Sequence, residues 1–579
     1  MNLQAPSRRS GALVGRRTHR FLVVWSIASL LFWAAGCLWA LVVPVGGNAD
    51  EPAQLIKAAA VVRGEWLGAA VPGSPKADRT VTVPAGVAED AARPKCYQFQ
   101  PSVPAGCQPA LGRGTRPTKA VTYVGRYPPL YYLLVGGPTL LGVGDVALRA
   151  VRVLSALWSG VMTGLALAIA AVYSQRRLLV LGVAVAATPM VLSLAGAINP
   201  NGLEIAAALA TWTGLLVLFL DHPRRPPAPL VATTALAGCV LALCQGLSLL
   251  WLGLAGVVAI AANPAGLPLL LADQRVRRAL VVLLLACSGA VLWLVVAQPL
   301  AVLPVGQPIS PHAGWLTRVA AVLGQFGTYL HQAVGVFGWL DAPSPSGVAL
   351  GWLGVLALVL FLGVATCRRS HLVLVGVCSL AAVAVPTLIV ASQATHSGLV
   401  WQGRDGLPLW VGVPLLAGAV ARPRSSRQRT GSSADPRATS SEPSPTVDPG
   451  RRLAVVTMAT VASCQVVDLL WTLRRFSVGL GGPLDPFARV PRGWEPPVPG
   501  TLLATAAVVL WGLVALWVAA LTRDGMPRAR TPNPPASGSH GSLLAVEHHL
   551  LGGLRPLGHG ALGSPVPASG PRPGTLPKR

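Results

Sequence analysis

Apolar runs of about 20 residues recur along this chain almost from its start to residue 521, and that recurrence limits its fold more than any other feature. A helix needs about 20 such residues to cross a bilayer. The runs lie at about 21–43, 150–173, 178–197, 203–220, 230–247, 249–262, 279–300, 350–366, 372–392, 406–421, 453–473 and 502–521, about twelve candidate spans, of which 249–262 is the shortest. Composition agrees: 53% of residues are hydrophobic and 11% charged, with mean hydropathy +0.58. An ordinary globular protein is about 25% charged, so too few polar groups exist here to coat a water-soluble surface. A soluble enzyme, a secreted disulfide mini-protein and a fibrous protein are excluded. The expected fold is all-α, a polytopic transmembrane bundle with a large first extracytoplasmic loop.

The formal charge of +26 comes from 46 Lys and Arg against 20 Asp and Glu. In a soluble chain it would suggest nucleic acid. Here the basic residues cluster between apolar runs, at Arg176/Arg177, Arg224/Arg225, Arg275/Arg277/Arg278, Arg368/Arg369 and Arg422–Arg429. These clusters follow every second span, as cytoplasmic loops do, so membrane lipids rather than nucleic acid are the expected surroundings. The pattern implies a multi-pass plasma-membrane protein with both termini cytoplasmic. It also requires Tyr127–Gly142 to be half-buried or re-entrant, because a full crossing would invert everything after it. The run Phe21–Val43 exceeds the 7–15 apolar residues of a signal-peptide core and reads as a retained first span.

The chain then divides into a basic cytoplasmic lead (1–20), a transmembrane core (21–421) containing the outer loop 44–149, a linker (422–450), a C-terminal transmembrane part (451–525) and a tail (526–579). The linker and tail are rich in Pro, Gly and Ser and cannot bury a core, so both are expected to be disordered and cytoplasmic. Two further outer segments are expected at 301–349, with an amphipathic stretch from Trp315 to Phe337, and at 474–500.

HExxH, Walker A, GxSxG and zinc-ligand spacings are absent. Cys96 and Cys107, eleven residues apart in the outer loop on an oxidising face, are expected to form a disulfide. Ionisable groups beside a membrane are costly, which makes each a functional candidate. Asp50 and Glu51 precede Pro52 and the stretch QLIKAAAVVRGEW, whose Leu55, Ile56, Ala59 and Val62 share one helical face. This predicts a short helix at the membrane interface with two carboxylates at the water–lipid boundary, serving either as helix caps or as chemistry. Asn199-Pro200-Asn201-Gly202, with Glu204 one turn later, reads as a tight turn or as polar contacts for a ligand. Arg404, after Gln402 and Gly403, suits a phosphate, whether of a lipid head group or of a substrate. The stretch Gly335–Asp341 is an aromatic interfacial anchor or a further contact through Asp341.

In order along the chain stand a first span ending at Pro44, DEPAQLIKAAAVVRGEW, YPPLYYLL, AINPNGLEIA, AVGVFGWLD and WQGRDGLPL. Over roughly residues 20–525 this series resembles a bacterial membrane family, the domain of unknown function 2142. That family is similar in layout to the GT-C superfamily of polytopic glycosyltransferases. The resemblance implies sugar transfer on the outer face from a polyprenyl-phosphate carrier to an envelope glycan or lipid acceptor. Asp50–Glu51 matches the acidic motif of the first outer loop by position. The chain departs from the family at Gln54, where His is frequent, and at Asp405, where an aromatic is frequent.

On this reading Asp50 is the base or a metal ligand and Glu51 supports it. Arg404, or a divalent cation (Mg or Mn), stabilises the leaving phosphate. Gln402, Asn199, Asn201 and Asp341 contact substrate. The alternatives are a transporter or flippase of lipid-linked or polar solutes, and a non-catalytic envelope-assembly protein. Transporters concentrate ionisable residues at the midplane, where this chain offers chiefly Asp468.

Overall fold

The computed structural model describes residues 8–74, 78–93, 95–300, 309–310, 312–422, 449–491 and 493–522. Nearly all of the expected linker and the whole of the expected tail lie outside the described residues. The first helix, α1 (Arg8–Val42), leads into α2 (Glu51–Val61), β1 (Ala69–Ala70), β2 (Arg79–Pro84), α3 (Ala85–Ala92) and β3 (Pro117–Thr122). Short helices α4 (Leu130–Val135) and α5 (Pro138–Leu141) precede α6 (Asp145–Tyr173), α7 (Arg177–Ala186), α8 (Pro189–Ala195) and α9 (Pro200–Asp221). Then come α10 (Ala228–Ala242), α11 (Ser248–Ala262), α12 (Gly266–Leu271), α13 (Gln274–Ala297), α14 (Trp315–Gly324) and α15 (Phe326–Gly335). A small hairpin of β4 (Val336–Phe337) and β5 (Ala342–Pro343) is followed by α16 (Ser346–Thr366), α17 (Arg369–Ser397), α18 (Gly403–Trp410), α19 (Gly412–Val420), α20 (Pro449–Ser477) and α21 (Gly500–Leu521).

Among the described residues eight helices are long and apolar enough to cross a membrane: α1, α6, α9, α13, α16, α17, α20 and α21. The bent pair α7 and α8, at 62°, would make a ninth. The bend has a local cause. Pro189 opens α8 without an N–H to donate, and Thr188 caps it by accepting from the Val191 N–H at 3.3 Å. The count falls below the expected twelve because three runs are not long helices. Helices α10 and α11 have 15 residues each, about 22 Å of rise. The run 406–421 is split into α18 and α19.

Helix α1 packs along α6 through glycines. A Cβ at Gly160 would stand 2.7 Å from the Trp33 nitrogen, and one at Gly164 2.5 Å from the Ser29 nitrogen. Small residues at this GxxxG spacing let two backbones approach, which is how helices associate where lipid gives no hydrophobic drive. Trp25 and Trp33 donate their indole N–H groups to the carbonyls of Val161 and Val153 at 3.0 and 3.2 Å. Helix α9 is buried nearly throughout, whereas α13 buries only Ala290 and Ala297 and turns Leu284, Leu285, Leu292 and Val295 outward. An outward face of that composition suits lipid.

The 44–149 segment carries a three-stranded antiparallel sheet in the order β1-β2-β3, with Arg79 opposite Thr122 and Pro84 opposite Pro117. Helix α2 differs from the expected surface helix. Its residues are buried on every face except at Pro52, because β2, β3, α3 and α4 pack around it. The sequence pattern shows an apolar face but not the cover folded over the other one. Lys57 is buried within it, and Nζ donates to the carbonyls of Trp66 and of Gly125, the latter at 2.6 Å. Burial, and then Arg79, push this amine down to about 7. A neutral amine has two N–H groups, enough for both carbonyls. The stretch Tyr127–Gly142 yields only α4 and α5, which pack beside α2 and α6. Neither is long enough to cross a bilayer.

Cys96 and Cys107 are joined by a disulfide, with Cα atoms 6.2 Å apart. The loop they close is pinned to α20, since Arg475 donates to the carbonyls of Tyr97 and Val103 at 2.8 Å each.

Candidate functional site

The acidic pair behind α1 is built by a turn at Pro44–Asp50. Arg152 of α6, fully buried, organises it: its guanidinium donates to the carbonyls of Ala40, Val43 and Pro44 at 3.0, 2.6 and 2.7 Å. The same group forms a two-pronged pair with Glu51, Nε to Oε1 at 2.6 Å and Nη2 to Oε2 at 2.5 Å. Glu51 also accepts from the backbone N–H groups of Gly46 (3.0 Å) and Ile198 (3.1 Å). Burial alone would raise its carboxyl, but Arg152 and then the backbone of Ile198 and Asn48 outweigh burial and hold it below the ordinary carboxylate value. With four donors and 1% exposure, Glu51 ties α2, α6 and the Ile198–Asn201 turn together rather than facing a substrate.

Asp50, one residue earlier, is held differently. Its backbone adopts the left-handed conformation, φ 65°, and its side chain makes no hydrogen bond to the helix it precedes. Capping therefore does not account for it. Oδ1 accepts from the Tyr123 hydroxyl at 2.6 Å, and Oδ2 pairs with Nη2 of Arg404. Burial, followed by the neighbouring Asp50 charge, pushes the Tyr123 phenol well above its usual range, so it stays a donor. The β4–β5 hairpin steadies the turn from the far side: Ala49 N–H donates to the Gly338 carbonyl at 3.0 Å, and the Trp339 indole donates to the Gly46 carbonyl at 3.1 Å.

Asp50, Tyr123 and Arg404 line a cavity of about 330 Å³ with Gln54, Tyr127, Asn201, Glu204, Gln245, Trp251, Gln393, Trp401, Gln402 and Asp405, and with an apolar side from Leu247, Pro299, Leu300, Ile389 and Val390. Of the expected contacts the structure thus brings Asp50, Arg404, Gln402 and Asn201 together. Asn199 is buried as the N-cap of α9, accepting from the Asn201 N–H at 3.0 Å. Asp341 lies apart, paired with Arg475 at 2.7 Å. Asp405 accepts from the Gln402 N–H at 3.0 Å and so supports the start of α18. Asp468, the intramembrane acid, takes the Ser344 hydroxyl at 2.6 Å and does not line the cavity.

Tyr123 and Gln245 carry no sequence signal of their own. Arg152 carries one: a single arginine inside an apolar run demands a buried partner. Among the described residues no group of three or more His, Cys, Asp or Glu is placed to hold a metal ion.

No curated protein matches the sequence. Among solved structures, the apo crystal structure of ArnT from Cupriavidus metallidurans is similar at 13% identity over 87% of this chain and 76% of that one, with a TM-score of 0.36. The family model described as "Predicted membrane protein (DUF2142)" matches residues 31–413, and the chain belongs to that family.

Proposed function

We propose that this protein is a membrane glycosyltransferase that moves a sugar from a polyprenyl-phosphate donor to a cell-envelope acceptor at the outer face of the plasma membrane. The observation that carries the reading is Asp50: a carboxylate in a left-handed backbone, free of capping duty, fixed by Tyr123 and Arg404 at the wall of a cavity lined by both polar and apolar groups. Such a cavity can admit a polar head group and the first part of a lipid chain together.

In the proposed reaction Asp50 accepts the proton of the acceptor hydroxyl as that oxygen bonds to the anomeric carbon. The bond from the anomeric carbon to the phosphate oxygen breaks, and the phosphate leaves with the electron pair. Arg404 supplies positive charge beside it. The residues around Asp50 do not make a donor set for a resident Mg or Mn ion: its carboxylate lies against the Arg404 guanidinium, and among the described residues no three His, Cys, Asp or Glu are grouped to hold one. No step is routed through such an ion.

The test is transfer by purified protein supplied with radiolabelled polyprenyl-phosphate sugars and envelope acceptors. Transfer that survives chelation supports the reading. Solute movement in liposomes without any transfer would overturn it in favour of a transporter, for which Glu204, a cavity acid on membrane helix α9, is the favouring feature.

A further inference from the structure

The charged residues lining the cavity are three acids, Asp50, Glu204 and Asp405, against one base, Arg404. Arg404 is engaged with Asp50. Among the described residues no other cation lines the cavity, and the polar groups around Glu204 are hydrogen-bonded to one another. Asp405, an acceptor when ionised, takes Nδ2 of Asn201 at 3.5 Å. Asn201 must then present Oδ1 to Gln245, whose Nε2 donates to it at 3.0 Å. The backbone N–H of Gln245 donates to Oγ of Ser248 at 3.1 Å, and Ser248 donates its hydroxyl proton to Oε1 of Glu204 at 2.7 Å. With Asp405 ionised, the amide orientations of Asn201 and Gln245 follow from it. What remains along this wall is a row of acceptors: Oε1 of Gln245 and the carboxyl oxygens of Glu204.

A row of acceptors asks for a ligand that brings donors. We propose that the Gln245–Glu204 wall is the specificity-determining subsite for the transferred sugar, taking the hydroxyls of an uncharged ring and excluding sugar acids. The proposal rests on the glycosyl-transfer reading. Each ring hydroxyl can donate to this wall, whereas a uronate carboxylate carries acceptors only and meets a lining of three acids against one base. Discrimination thus comes from a built-in repulsion as well as from fit. Glu204 and Gln245 are specificity residues here; the proton transfer stays with Asp50.

The test uses the full chain in lipid nanodiscs and calorimetric titration with two sets of probes. One set is the methyl glycosides of glucose, galactose and mannose; the other is methyl glucuronide and methyl galacturonide. At least one neutral glycoside should bind about tenfold or more tighter than its uronide, the scale of about 1.4 kcal/mol. Glu204→Gln should narrow that preference, while Gln245→Leu should weaken the neutral glycosides several-fold and leave the uronides excluded. Equal binding of both sets, binding of neither at tens of millimolar, or an unchanged preference in a folded Glu204→Gln protein would overturn the proposal. If that variant does not fold, Gln245→Leu alone decides it: unchanged neutral-glycoside binding refutes the subsite. The two readings fail separately. Selective binding without transfer removes the glycosyltransferase and keeps the subsite. Transfer at equal rates from neutral and acidic donors does the reverse.

Discussion

Asp50 and Glu51 are neighbours in sequence, and each meets an arginine, yet the two pairs belong to different regions of the molecule. Glu51–Arg152 sits where α1, α2 and α6 meet, sealed from solvent, with the carboxylate and guanidinium surrounded by backbone partners. Asp50–Arg404 joins the turn after α1 to the start of α18 across 354 residues and borders the cavity. The Asp50 side chain is 30% exposed; that of Glu51 is 1% exposed. A fully satisfied buried pair fixes geometry, because neither partner can leave without stranding the other. A pair with one partly exposed member can exchange its partner for a ligand. The first region holds the second in place.

The largest effect should come from breaking the sealed pair. Arg152→Ala strands a buried carboxylate and five hydrogen bonds, and removing one partner of such a pair costs about 3–5 kcal/mol. Little folded protein should be recovered, read by thermal unfolding in nanodiscs. Recovery of wild-type stability would show that the two regions do not differ in kind. The pair also has a pH signature. The Glu51 carboxyl lies below its ordinary value of 4.5 in the folded chain. The unfolded chain therefore takes up the proton first as pH falls, so stability rises with pH in this window. The contribution is complete above the ordinary value and is lost as pH drops through the lower, folded one. Glu51→Gln should flatten this acid limb of the stability profile.

Asp50→Asn probes the open pair. Asn tolerates the left-handed backbone about as well as Asp, and no cap is lost. Arg404 is buried and loses its carboxylate partner, so stability should fall by about 1–3 kcal/mol, less than for Arg152→Ala. Sugar transfer should fall by about two orders of magnitude or more, the scale of a lost general base. An Asp50→Asn protein that unfolds early and still transfers sugar would make Asp50 a second Glu51.

The division between these regions was only partly legible in the sequence. The helical membrane bundle follows from apolar runs alone, and the Cys96–Cys107 link from two cysteines in one long loop. Asp50 and Arg404 were visible as charges at the ends of apolar runs, which are expensive anywhere near lipid. Their pairing across 354 residues was not, because nothing local encodes it. Glu51 looked like a companion of Asp50 because adjacency in sequence was the only evidence; its partner, Arg152, lies 101 residues away. The expected span count was high because hydropathy reads composition. It does not register that Pro189 bends one run or that α10 and α11 end after 15 residues. The Gly160–Gly164 contact with α1 was present as a GxxxG spacing, but its partner helix was not.

The smallest and most discriminating change is Tyr123→Phe. It deletes one hydroxyl, the donor to Oδ1 of Asp50, and leaves the ring to fill the same space. Arg404 still holds Oδ2, so the carboxylate keeps one anchor and gains freedom about it. A hydrogen bond to a charged group is worth about 1.5–3 kcal/mol at most, and partial exposure of Asp50 lowers the cost because water can replace the phenol. Transfer should therefore fall by about three- to tenfold, with the loss in kcat rather than KM, since the phenol orients the base and not the ligand. Thermal unfolding should be unchanged. A drop in stability without a drop in kcat would place Tyr123 and Asp50 with the sealed network around Arg152. A kcat loss as large as that of Asp50→Asn would mean that the phenol itself touches the reacting atoms.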